Sequence, residues 1–189
     1  MTSRREFLRA TAAMSAVVPL TVRAGVTADV SLALSAVVID ERYAAARVFG
    51  TRAERSGIAL RPIKGDITDL WVGELRGLWA ARPTAIAGLT ARPALFCLEQ
   101  LAWDHRMRVV YHAEHQSRAD GTVAHTVHLA AHALGSAQLA AAGAAWPGYV
   151  AGALSRLPAV RTACGPSVAC MEGAIGDDAV TLHSWVIAA

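Results

Sequence analysis

A chain of 189 residues with 54% hydrophobic and 17% charged side chains is long enough for one ordinary domain with a sizeable core. Its formal net charge of +3 sits in the first 24 residues: Arg4, Arg5, Arg9 and Arg23 leave together with Glu6 when that segment is set aside, and 14 basic side chains then face 14 acidic ones. The neutral remainder excludes a charge argument for nucleic acid or an anionic membrane as partner, no internal repeat is visible, and no later apolar run is long enough to cross a bilayer.

The chain begins with a basic start, an apolar middle and small residues suited to cleavage. Ser3-Arg4-Arg5-Glu6-Phe7-Leu8 resembles the twin-arginine (Tat) export signal, with Arg9 where lysine is usual. The stretch from Ala10 to Val22 is interrupted by Thr11, Ser15, Pro19 and Thr21, too short and too polar for a stable membrane span. Val22-Arg23-Ala24 and Val26-Thr27-Ala28 both end in residues a signal peptidase accepts, so cleavage is expected after 24 or 28. The resemblance implies folding in a bacterial cytoplasm and delivery to the periplasm by the Tat translocase, with no membrane span after cleavage. Folded export suits a cofactor inserted inside the cell, a partner that carries one, or fast folding. Residues 1–24 are thus read as a signal peptide and 29–189 as a single α/β domain.

Ser35 to Asp40 is a short apolar run of the kind expected for a strand buried on both faces. A helix over Glu41 to Arg55 follows, with Asp40 placed to cap it and Ser56-Gly57 to stop it. Ile58 to Ile63 is a second strand, nearer an edge because Pro62 cannot donate to a ladder. Asp66 and Asp69 open a helix carrying Trp71, Leu75, Leu78 and Trp79 on one face, closed by Arg82-Pro83. Thr84 to Leu89 is a third strand, and Thr90 is placed to cap a helix with Leu95, Leu98 and Ala102 on one side. Arg108 to Tyr111 begins a fourth. Asp120-Gly121 between the arms 109–116 and 122–129 signals a hairpin. Ala131 to Leu157 reads as helix broken by Gly143 and Trp146-Pro147-Gly148, 162–178 as loop, and Val180 to Ile187 as a last strand. This alternation predicts a three-layer, open and mainly parallel sheet, Rossmann-like or flavodoxin-like, with an antiparallel hairpin extension.

In such sheets ligands bind beyond the C-terminal strand ends, which selects Asp40, Arg42, Asp66, Gly88, Thr90 and Arg92 as candidate ligand-binding residues. Gly88 permits close backbone approach, and Arg92 at a helix start suits a carboxylate or phosphate. The alternative is an ordinary capped helix, since neither Gly-x-Gly-x-x-Gly nor Gly-Lys-Ser/Thr is present. Asp40, Glu114 and His112 are the catalytic candidates, Asp40 as a general base or metal carboxylate or simply as a cap. Five histidines, His112, His115, His125, His128 and His132, fall within 21 residues around the hairpin. On strands, His112, Glu114 and His128 can converge on a metal; on a helix, His125, His128 and His132 share a side; neither is a named metal motif.

Cys164 and Cys170 are expected to pair in an oxidising periplasm, and Cys97, amid Leu95, Phe96 and Leu98, to be a buried thiol. Trp71, Trp79 and Trp103 read as core or packing residues and Trp146 as a pocket border. No cofactor motif is present, so the cofactor stays unassigned. Three functions fit: a periplasmic ligand-binding protein or accessory subunit of an exported redox enzyme, a small enzyme with or without a metal, or an interaction protein without a small-molecule site.

Overall fold

The computed structural model describes residues 31–129, 134–157, 167–169 and 180–189. The export motif, Cys164, Cys170 and His132 lie outside them. The described residues form an α/β fold around a single mixed sheet with strand order β2-β1-β3-β7-β4-β5-β6. The strands are β1 (Leu34–Asp40), β2 (Ala59–Ile63), β3 (Ala85–Ala91), β4 (Arg108–Ser117), β5 (Val123–Leu129), β6 (Ser167–Ala169) and β7 (Thr181–Ala188). The helices are α1 (Ala44–Glu54), α2 (Thr68–Leu70), α3 (Arg76–Ala81), α4 (Arg92–Asp104), α5 (Ser136–Ala141) and α6 (Trp146–Leu154). A π-helical turn, Trp71–Leu75, joins α2 to α3, and a 3-10 turn, Gly143–Ala145, joins α5 to α6.

Side chains alternate across each strand and so build two cores. Val37 and Ile39 of β1, Ala87 and Leu89 of β3 and Val186 of β7 pack with Phe49 of α1, Leu139 of α5 and Val150 of α6. Ala36 and Val38, Ile86, Trp185 and Ile187 point the other way, onto Leu75, Trp79 of α3 and Leu95 and Leu98 of α4. Strands apolar on both faces need cover on both, which is why the run at Ser35 to Asp40 reads as continuous rather than alternating.

β1 pairs in parallel with both β2 and β3, as the crossover pattern predicts. The sheet then departs from mainly parallel order, because β7 inserts between β3 and β4 and is antiparallel to both. β4 consequently still runs in the direction of β3, so the C-terminal ends of β1 to β4 share one edge. The hairpin extension is present: β5 pairs antiparallel with β4, and β6 with β5. Its turn is held by Asp120, whose carboxylate accepts from the Thr122 amide and hydroxyl, with Gly121 at φ 79°. β2 is the edge strand, where the missing amide of Pro62 costs nothing.

Two caps differ from expectation. Neither α1 nor α4 has a side-chain N-cap bond, since Asp40 is engaged by Arg42 and Thr90 by Trp185. Cys97 is exposed rather than buried, and Trp103 is 48% exposed, because α4 turns Ala94, Leu95, Leu98 and Ala102 to the sheet and its opposite face to solvent. After β5 two short helices part at Gly143 as expected, while Trp146-Pro147 starts α6 rather than breaking it, and no described helix is long and apolar enough to cross a membrane.

Candidate functional site

Because β7 separates β3 from β4, the pleat places Thr90, His183, Glu114 and Thr126 opposite one another in a cross-strand row. His112, two residues before Glu114, shares its face. The His112 and His183 rings stack with centroids 5.3 Å apart, and His112 Nε2 lies 3.0 Å from His183 Nδ1. His128, at a register irregularity in β5, stacks on the other side of His112 at 4.8 Å. Its Nε2 is 3.1 Å from Glu114 Oε1, and His183 Nδ1 is 3.9 Å from the same oxygen.

His112, Glu114 and His183 offer three ligand atoms that all lie within 4.8 Å of one another. Donors bound at about 2.0–2.1 Å to a tetrahedral ion stand about 3.3 Å apart, so a small inward turn of Glu114 completes the set. That carboxylate is 38% exposed and has room to turn. Burial, reinforced by His183, His128 and Arg92, holds His112 down at about 3. His183 is lowered too, by burial first; Glu114 opposes that shift, while Arg92 and His128 add to it. Both imidazoles are therefore neutral at pH 7, the form that ligates metals. Two imidazoles and a carboxylate with solvent on one side match the donor set of zinc and non-haem iron sites that keep open positions.

A second polar group occupies the opposite face of the same strands. His115 Nε2 is 2.7 Å from Ser184 Oγ, and His115 Nδ1 is 2.7 Å from His125 Nδ1. His115 also stacks on Trp146 at 4.1 Å. All four residues are buried. Trp146 thus seals an interior network rather than bordering an open pocket. Burial pushes His115 well below the usual imidazole range and His125 to about 4. Two neutral rings meeting nitrogen to nitrogen share one proton, so one donates and the other accepts.

Of the other candidates from the sequence, Asp40, Asp66 and Gly88 are engaged elsewhere, while Thr90 stands in the row beside His183. Asp40 is fully buried, and Arg42 donates to it from Nε at 2.8 Å and Nη2 at 2.6 Å. With β3 and β7 between β1 and β4, it stands three strand spacings, about 14 Å, from Glu114. Asp66 accepts from the Thr68 amide and hydroxyl, an Asx turn at the start of α2. It lines a cleft of about 480 Å³ with Glu41, Arg61, Lys64 and Asp69 on the β2 side of the sheet. Gly88 serves packing: a Cβ there would meet the Trp185 ring and come within 2.7 Å of the Val38 carbonyl oxygen. Thr90 Oγ1 accepts from Trp185 Nε1 at 3.1 Å. Arg92 opens α4 two residues after Thr90, and its charge helps to lower both His112 and His183.

His183 and Ser184 were missed by the sequence reading, which named Val180 to Ile187 only as a last strand. Their signal is two buried polar side chains inside Thr181–Ala188, a strand that is otherwise apolar after Thr181. Comparison of the chain with protein-family models, with curated proteins and with solved structures found no match.

Proposed function

We propose that this chain is a Tat-exported periplasmic protein that holds a divalent transition metal at His112, Glu114 and His183 and binds a small ligand there. The observation that carries the reading is the convergence of two imidazoles and one carboxylate, His183 buried and His112 and Glu114 half-buried, with their ligand atoms within 4.8 Å of one another. Folding before export, which the Ser3 to Arg9 motif implies, allows the metal to be loaded in the cytoplasm. A metal held by three protein ligands supplies a Lewis acid and lowers the pKa of bound water. The chain's own groups hold the ion and orient the carboxylate, His128 bonding Glu114 as an outer partner does. The reading takes the fold as an open three-layer sheet with its site toward the C-terminal ends of β1 to β4.

The test is metal analysis of protein purified from the periplasm without a metal-binding tag. A stoichiometric ion in the wild type, lost in His183→Ala and Glu114→Gln, is the expected result. A metal-free wild type that zinc, cobalt, manganese and iron all fail to stabilise against heat overturns it. A second reading, an accessory subunit of an exported redox enzyme, is favoured by Phe96 and Trp103, 51% and 48% exposed and two turns apart on α4. Co-purification with a larger subunit, lost in Phe96→Ser/Trp103→Ser, distinguishes it.

A further inference from the structure

We infer that the ligand of this centre is a small oxyanion, a carboxylate or phosphate, held between the metal and the Arg92 guanidinium; this rests on the metal reading above. Arg92 is the first residue of α4, immediately after β3, the strand that pairs with His183 through Thr90. Thr90 opposes His183, which opposes Glu114, and Arg92 follows Thr90 by two residues, so α4 starts at the end of the row that carries two of the three ligands. The guanidinium is available: it is 51% exposed and its ion pair with Glu99 is long, 4.0 Å.

Charge balance then chooses the ligand class. A divalent ion with Glu114 as its one charged ligand keeps a net positive charge, and Arg92 adds another. Glu99 offsets part of that from a distance. An anion in an open metal position neutralises the remainder, and the planar guanidinium fork matches carboxylate and phosphate oxygens. A neutral or cationic ligand would leave or increase the excess positive charge.

Cobalt(II)-loaded protein, titrated separately with acetate and with inorganic phosphate and followed by its visible absorption bands, tests this. Wild type should respond to at least one anion, and the stronger responder defines the class. Arg92→Gln should weaken that anion about tenfold or more. It should leave cobalt affinity unchanged or tighter, because a cation beside the ion has been removed. Arg92→Lys, which keeps charge but loses the fork, should fall between. Glu99→Gln should bind the anion as well as wild type or better. Cobalt bound with the spectrum indifferent to both anions, or equal anion affinity in Arg92→Gln, overturns this inference alone. Failure of wild type to bind cobalt, zinc, manganese and iron alike overturns the metal reading and this inference with it.

Discussion

Acidification from pH 7 to pH 5 should destabilise the domain through the interior pair His115 and His125. Both have folded-state pKa values below the ordinary imidazole value, His125 at about 4. The unfolded chain therefore takes up protons first, near pH 6.5, and stability falls as pH falls through the window between about 6.5 and 4. Each group contributes at most about 1.4 kcal/mol per pH unit once its unfolded form is protonated. Allowing for titration near the midpoint and for coupling between the two touching rings, the pair costs about 2–3 kcal/mol between pH 7 and pH 5. That is a large part of the 5–15 kcal/mol typical of a domain. His112 adds in the same direction in metal-free protein. Urea titrations at pH 7, 6 and 5 measure the loss; with a slope of about 1–3 kcal/mol/M the midpoint should fall by about 0.7–3 M. His125→Gln should flatten that dependence. A midpoint constant from pH 7 to pH 5 would refute neutral burial of His115 and His125.

Gly88→Ala should lower stability by about 1–3 kcal/mol, read as a drop in urea midpoint, because its Cβ falls 2.6 Å from Trp185 Cε2 and neither the buried ring nor the β1 backbone can give way. Arg4-Arg5→Lys-Lys should abolish periplasmic delivery, assayed by cell fractionation; intact delivery would remove the export reading. Cys97 should react with a thiol reagent in folded protein within minutes, as its exposed position on α4 requires, and protection until unfolding would contradict the placement of that helix.

The strands and helices were legible because their signals are local. Continuous apolar runs mark β1 and β3, and the spacing of Leu95, Leu98 and Ala102 marks α4. The hairpin was legible from Asp120-Gly121. Cys97 and Trp103 were misplaced because apolar neighbours in sequence were taken as a sign of burial, whereas a helix turns 100° per residue and puts them opposite Leu98 and Ala102. The position of β7 was not legible. Pairing of strands far apart in the chain depends on which edge is left open, and no local pattern encodes that. The site inherits this limit. His112, Glu114 and His128 belong to one hairpin and were readable together, but His183 is 71 residues from His112 and reaches it only because β7 inserts beside β4. Arg92 was readable as an anion-binding candidate, though not as a neighbour of imidazoles.

The central claim is tested most directly by X-ray absorption at the zinc edge of zinc-loaded protein. The account predicts only nitrogen and oxygen neighbours at about 2.0–2.1 Å with the outer scattering of two imidazoles, and His183→Ala should retain no stoichiometric zinc to give that spectrum. Sulfur at about 2.3 Å, or a spectrum unchanged by His183→Ala, would contradict it.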